Sequence, residues 1–112
     1  MTPCVEVTTT LPDRDAARQL GTRAVEARLA ACAQVSGPVL SVYRWQGVVR
    51  EAEEWRCSLK TISAAWPALV TFLRGEHPYE LPEIVVAPLD GTAEYLAWIS
   101  ACVSLPHSPA TA

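Results

Sequence analysis

Apolar positions follow two different periods along the chain, and the period changes at recognisable turn residues. The stretch VEVTTTL at residues 5–11 is rich in β-branched residues and predicts a first strand. Pro12 and Asp13 end it, and Asp13 is the expected N-cap of a helix. Small apolar residues then recur at helical spacing: Ala17, Leu20, Ala24, Ala27 and Ala31. Gly21 lies within this helix, where it costs about 1 kcal/mol relative to alanine, so we expect a close approach to the sheet there.

From Cys32 the apolar period becomes two, which predicts a second strand reaching about Gln46. The Gly37-Pro38 pair inside it predicts a bend or a bulge. Gly47 marks a turn, and residues 48–61 return as a third strand. Both strands are long beside the ~5–6 residues that are typical. We therefore expect a hairpin that extends beyond its own sheet.

Two more helices and a short strand complete the pattern. A helix is predicted after Ser63 and should stop at Gly75, and EIVVAP at residues 83–88 predicts a fourth strand. The last helix is expected from the N-cap candidate Thr92 to about Val103. The predicted inward faces of these two helices are Trp66, Leu69, Val70 and Leu73, and Tyr95, Leu96 and Ile99.

The element order β-α-β-β-α-β-α predicts an α+β protein. Without its last helix, this order is that of a ferredoxin-like βαββαβ sandwich with an antiparallel sheet. We expect a single domain over residues 1–112, with an ordered core at about 4–103 and a tail at 104–112.

The sheet face opposite the helices should be polar if the chain works alone. Instead, residues 84–87 are apolar on both sides, and Tyr43 and Trp45 alternate with Val42, Arg44 and Gln46. Apolar groups on an exposed edge invite another chain to pair there. We therefore predict a homo-oligomer built through sheet edges and the open sheet face.

Composition and charge exclude several classes of partner. Half of the 112 residues are hydrophobic, 19% are charged, and the net charge is −3 without any cluster of Lys or Arg. Nucleic acid is therefore not expected as a partner. There is no uncharged apolar run that suits a membrane span and no secretory start, so we expect a cytoplasmic protein. The four cysteines form no CxxC pair and are expected to be reduced and mostly structural.

Polar groups are dense in EHPYELPEI, residues 76–84. His77 and Leu81 each precede proline and are therefore biased toward extended backbone. One interpretation is a stiff joint between a helix and a strand. The other is a weak metal site, with an imidazole from His77 and carboxylate oxygens from Glu76, Glu80 and Glu83. Both interpretations stay open.

Three other residues also have two interpretations. Tyr43 and Trp45 are either interface core or ligand contacts, and Lys60 is either solvated or paired with a carboxylate or an anion. No enzyme activity is expected, because there is no GxSxG elbow and nothing in the sequence places a cysteine beside His77.

Six segments together resemble one known family: TTLPDRDAA, EARLAACAQV, SVYRWQG, LKT, HPYELPEI and YLAWI. In order and spacing they resemble the CutA divalent-cation tolerance family over about residues 5–103. The resemblance implies a tight homotrimer with long hairpins exchanged between neighbours and an architecture close to PII signalling proteins. It also implies tolerance of copper and other divalent cations.

The resemblance further implies a cleft between subunits. Its residues would be Tyr43, Trp45, Lys60, His77, Tyr79, Glu80 and Glu83. Cys32 matches the cysteine of the family's LAAC motif and joins the candidate metal ligands. Glu76, which precedes His77 in the sequence, is another candidate ligand. The chain departs from some relatives at Thr9, where they carry cysteine, and at Glu76, where they carry histidine.

Two functions are therefore expected as alternatives. The first is a non-enzymatic trimer for divalent metal tolerance that weakly binds Cu or another divalent cation and has no organic cofactor. The second is a PII-like sensor that binds a small anionic molecule through Lys60 and Trp45 in the same cleft.

Overall fold

Seven elements follow one another in the order that the sequence predicts. The computed structural model describes residues 3–104. The strands are β1 (Cys4–Leu11), β2 (Cys32–Trp45), β3 (Val48–Ile62) and β4 (Ile84–Leu89). The helices are α1 (Arg14–Glu26), α2 (Trp66–Glu76) and α3 (Ala93–Cys102).

The four strands form one antiparallel sheet in the order β2-β3-β1-β4. This order and the element sequence confirm the predicted ferredoxin-like α+β fold. The register of β2 against β3 shifts between Ser36 and Val39, so the bulge expected at Gly37-Pro38 is present. β4 lies at the sheet edge opposite β2.

The main core lies between the sheet and the pair α1 and α2. Leu11 and Leu59 from the strands and Leu69 and Leu73 from α2 have no exposed surface. A Cβ placed on Gly21 would lie 2.8 Å from Ala33 Cβ and 3.2 Å from Cys57 Sγ. The absence of a side chain at this position is therefore what allows α1 to approach the sheet closely.

Helix α1 ends earlier than the alanine periodicity predicts. Arg28 adopts a left-handed backbone with φ 59°, its N–H donates to Val25 O, and Leu29 N–H donates to Ala24 O. These bonds form a Schellman motif, which ends a helix and is usually built on glycine. The prediction that the apolar positions of this helix continue through Ala27 and Ala31 is therefore wrong: Ala27 is exposed, and Ala31 is buried but lies beyond the helix.

Helix α3 packs against the other face of the sheet, at one end. Ile99 is fully buried there beside Cys4, with Ile62 and Leu89 packed around them. The N-cap prediction is confirmed, because Thr92 Oγ1 accepts a bond from Tyr95 N–H at 3.3 Å. Two inward-facing predictions are wrong: Tyr95 and Trp66 are exposed, at 39% and 36%.

The β2–β3 hairpin extends well beyond the rest of the sheet, as predicted. β1 pairs with β3 only at residues 55–62, so residues 48–54 of β3 have β2 as their sole strand neighbour among residues 3–104. The longest axis of the chain is 51 Å against 27 and 25 Å for the other two. Several large apolar side chains on this extension face solvent, with exposed fractions of 66% at Leu40, 60% at Val42 and 58% at Val49.

The predicted tail at 104–112 falls, apart from Ser104, outside the described residues. Ser104 N–H donates to Arg28 O at 2.9 Å, which ties the end of the described chain to the α1–β2 connection. Within residues 3–104, no helix is long and apolar enough to cross a membrane.

Candidate functional site

A cleft of about 950 Å³ lies between the β2–β3 extension and the loop that joins α2 to β4. One wall is formed by residues of both hairpin strands, and the other by the loop at residues 79–83. The polar and aromatic residues lining it are Thr10, Ser41, Tyr43, Trp45, Glu54, Arg56, Tyr79, Glu80 and Glu83. We call this cavity the hairpin cleft.

Glu54 is the most deeply placed charge of the hairpin cleft. It stands on β3 just before the residues that pair with β1, and only 9% of it is exposed. Tyr79 Oη donates to Glu54 Oε2 at 2.9 Å. Within residues 3–104, no Lys, Arg or His forms an ion pair with this carboxylate. Burial, and then the bond to the negative Glu54 carboxylate, raise the pKa of Tyr79, so its phenol stays protonated and continues to donate.

The loop that carries Tyr79 is held by His77. Tyr79 N–H donates to His77 Nδ1 at 3.1 Å, and His77 Nε2 lies 2.9 Å from Thr9 Oγ1. Because Nδ1 accepts a hydrogen bond, the neutral ring carries its proton on Nε2 and donates it to Thr9. The His77 backbone is extended (φ −76°, ψ 138°), as expected before proline. His77 therefore joins the loop to β1.

The chain divides the predicted metal ligands among separate places. Glu80 and Glu83 line the hairpin cleft, and His77 lies behind it with both ring nitrogens in hydrogen bonds. Glu76 instead pairs with Arg23 at 3.2 Å on the helical side. Among the described residues, no three His, Cys, Asp or Glu side chains come close enough to hold a metal ion together.

A second group of predicted residues lies at the other end of the sheet. Cys32 and Lys60 stand opposite each other on β2 and β3, and Cys32 Sγ lies 3.7 Å from Tyr95 Oη. Lys60 Nζ lies 5.5 Å from the centre of the Tyr95 ring. The structure thus places Tyr43, Trp45 and Tyr79 of the predicted cleft together in one cavity, but neither Lys60 nor Cys32 lines it.

Glu54, Arg56 and Thr10 were not among the residues predicted for this site. Glu54 and Arg56 alternate with the apolar residues Trp55 and Cys57 along β3, so nothing local in the sequence distinguishes them from other surface charges. The distinguishing signal is the strand register: Glu54 stands opposite Val39, just beyond the bulge, and Tyr43 and Trp45 follow at steps of two. That register depends on the bulge, whose size the sequence did not reveal.

The class of protein follows from the fold. A four-stranded antiparallel sheet of this order, with two helices on one face and a third on the other, belongs to the ferredoxin-like α+β proteins. The model of the CutA1 divalent ion tolerance protein family matches residues 5–102. The chain belongs to this family.

Individual relatives agree over most of the chain. The divalent-cation tolerance protein CutA of Thermus thermophilus is 42% identical over 91 residues, which are 80% of this chain and 88% of that protein. Human protein CutA is 37% identical over 91 residues, again 80% of this chain but 51% of the human protein. The crystal structure of CutA from Xylella fastidiosa superposes with a TM-score of 0.88 at 33% identity, covering 92% of this chain and all of that one.

Proposed function

We propose that this protein serves divalent-cation tolerance as a non-enzymatic homotrimer, in which the hairpin cleft of each chain is completed by a neighbouring chain and takes up the cation. Membership of the family supports the general role. The exposed apolar side chains of the β2–β3 extension support association between identical chains, because such a surface is rarely left in water. A cytoplasmic location remains our expectation for it.

The charge of the hairpin cleft carries this proposal. Three carboxylates, Glu54, Glu80 and Glu83, line it together with one guanidinium, Arg56. Carboxylate oxygens are common ligands of divalent ions. Because residues 3–104 of one chain do not bring three such ligands together, the remaining ligands would come from a neighbouring chain. In this arrangement His77 holds the loop in place and does not itself contact the ion.

The same charges weigh against a small anion as the ligand. An anion site in the cleft was expected to use Lys60, but Lys60 lies beside Tyr95 at the other end of the sheet. Among residues 3–104, Arg56 is the one basic residue that lines the cleft, beside three carboxylates. A cation is therefore the ligand that the electrostatics of the cleft favour.

The test is calorimetric titration with Cu²⁺, the divalent first-row ion that protein ligands bind most tightly. Glu80→Gln/Glu83→Gln should weaken binding by about tenfold or more, since two ligands are lost. Cys32→Ser should bind Cu²⁺ with the same heat and affinity as the wild type, which would exclude the thiol as a ligand. If the carboxylate variant binds Cu²⁺ like the wild type, the hairpin cleft is not the metal site.

A further inference from the structure

The aspartates of the chain differ in what their side chains contact. The sequence contains Asp13, Asp15 and Asp90, and it contains no asparagine. Asp13 Oδ1 accepts the N–H of Ala16 at 2.7 Å as the N-cap of α1, and Asp15 Oδ1 accepts from Arg18 at 2.7 Å. The side chain of Asp90 is bonded instead to the peptide group that directly follows it.

The carboxylate of Asp90 lies against the backbone nitrogen of Gly91. Gly91 N–H donates to Asp90 Oδ1 at 2.9 Å, so this nitrogen stands beside the Cγ carbon with which it would close a ring. Aspartate side chains often bond to the backbone just after them, but a following glycine has no Cβ to shield its nitrogen. Both residues are exposed and lie in neither a helix nor a strand. A reaction at this peptide group therefore breaks no strand or helix hydrogen bond of residues 3–104.

Packing does not require glycine at position 91. Beyond its chain neighbours, a Cβ added to Gly91 would first meet Leu96 Cδ2, at 4.0 Å, and its φ lies outside the left-handed region. Alanine would therefore fit at this position, in contrast to Gly21. The turn lies at the end of the sheet where Leu89 pairs with Cys4, away from the β2–β3 extension and the hairpin cleft.

We propose that Asp90 is a site of spontaneous isoaspartate formation. Gly91 N attacks Cγ of the Asp90 carboxyl in its protonated form: the C–N bond forms, the C–OH bond breaks, and the amide hydrogen leaves with the hydroxyl as water. Water then opens the resulting succinimide. Opening at the Cγ carbonyl restores aspartate, and opening at the main-chain carbonyl leaves the backbone running through the side chain, which is isoaspartate. The reaction consumes no oxidant or reductant, and it does not depend on cation binding.

The product alters the connection between β4 and α3. This connection consists of residues 90–92 alone, and isoaspartate adds one carbon to its main chain. Thr92 Oγ1 accepts the N–H of Tyr95 and thereby caps α3. The added carbon falls two residues before that cap, so the change is transmitted to the N-terminus of α3. Isoaspartate also leaves a free α-carboxylate at position 90, which is the group that protein isoaspartate methyltransferases recognise.

The experiment is a timed incubation of the full chain at physiological temperature and neutral pH, followed by peptide mapping with mass spectrometry. Isoaspartate should accumulate in the peptide that contains Asp90, preceded by a succinimide whose mass is lower by one water. Asp13 and Asp15 are internal controls and should stay unmodified. Because the chain has no asparagine, deamidation of that residue cannot contribute to the signal. Transfer of labelled methyl groups by a protein isoaspartate methyltransferase measures the product independently.

Two variants locate the reaction. Gly91→Ala keeps Asp90 but places a methyl group beside the attacking nitrogen, and the isoaspartate signal should be largely lost. Asp90→Glu keeps the charge but would have to close a larger ring, and its methylation signal should also be lost. This second variant decides the question if circular dichroism shows that Gly91→Ala does not fold.

The proposal is overturned if Asp90 of the wild type stays unmodified, or if Asp13 or Asp15 reacts at the same rate. It is also overturned if either folded variant keeps the methylation signal of the wild type. The calorimetric titration with Cu²⁺ uses different residues and a different readout. Failure of this inference therefore leaves the proposed function standing, and failure of the proposed function leaves this inference standing.

Discussion

Gly21 shows how one missing side chain can set the distance between two layers. Alanine at this position would gain about 1 kcal/mol in helix propensity, but its Cβ would lie 2.8 Å from Ala33 Cβ. Real Cβ atoms do not approach so closely, and α1 or β2 would have to move. Overpacking of this kind costs ~1–3 kcal/mol, so the steric term outweighs the propensity term.

We therefore expect Gly21→Ala to lower the free energy of unfolding by about 1 kcal/mol or more. Gly75→Ala is the matched control, because Gly75 also lies within a helix but its added Cβ would meet no atom within 4 Å from the described residues outside its own helix backbone. That variant should be neutral or up to about 1 kcal/mol more stable. Thermal or denaturant unfolding measures both, and equal stability of the two variants would contradict this account of the α1–β2 contact.

His77 makes stability depend on pH at the edge of the hairpin cleft. Burial lowers its pKa below the ordinary value of 6.5, while the Thr10 backbone and Glu54 act in the opposite direction. As the pH falls, the unfolded chain therefore takes up a proton before the folded chain does. The stability linked to this ring is complete above pH 6.5 and is lost progressively as the pH falls below that value toward the lower folded pKa.

His77→Gln should remove this dependence. The variant also loses the two hydrogen bonds of the imidazole, which can lower its stability at neutral pH. The quantity to compare is therefore the change in Tm between about pH 7.5 and about pH 5.5 within each protein. That fall should be smaller in His77→Gln than in the wild type at the same protein concentration. Parallel falls in the two proteins would mean that the imidazole does not titrate as the geometry requires.

At the scale of elements, the β2–β3 extension carries apolar side chains that nothing in residues 3–104 covers. Val49 is 58% exposed and does not line the hairpin cleft. In a lone chain, Val49→Lys would have little effect, since an exposed site tolerates a charge. If sister chains cover the extension, the same change buries an ammonium group at an interface and weakens association.

We expect Val49→Lys to dissociate the oligomer while strand content by circular dichroism is retained. Gln19→Lys adds the same charge on the exposed side of α1 and should leave association unchanged. Size-exclusion chromatography with light scattering distinguishes the outcomes. An unchanged mass for Val49→Lys would place the interface elsewhere.

The sequence predicts elements better than it predicts their ends or their partners. The change of period at Cys32 and the turn at Gly47 were sufficient to locate the long hairpin, and its overhang followed from its length. The end of α1 was missed because Arg28, and not glycine, occupies the left-handed position of the Schellman motif. The apolar period continues past the end of α1, so the turn at Arg28 is visible only in the backbone geometry.

The candidate site was predicted in part for a similar reason. Tyr43, Trp45, Tyr79, Glu80 and Glu83 come from two segments that the fold brings to one cavity. Lys60 and Glu54 lie six positions apart on β3 and share a face of the sheet, so the sequence does not separate them. The pairing of β3 with β2 across the bulge shows that Glu54 lies at the cleft, whereas Lys60 lies beside Tyr95 of α3. Glu76 was equally plausible as a ligand until its pairing with Arg23 was seen.

At the scale of the whole molecule, we propose that identical chains cover the β2–β3 extension and complete the hairpin cleft. A ferredoxin-like sheet with an exposed apolar hairpin is poorly suited to remain a monomer. Association would also bring further oxygen ligands to a cleft in which the described part of one chain does not gather three. Oligomeric state and cation binding are therefore linked in this account.

Sedimentation velocity of the wild-type chain at micromolar concentration tests this link most directly. We predict one species with three times the 12.1 kDa mass of the chain. A folded species of 12.1 kDa that persists at that concentration would contradict the account, because the extension would then face water and the cleft would have no second chain to complete it.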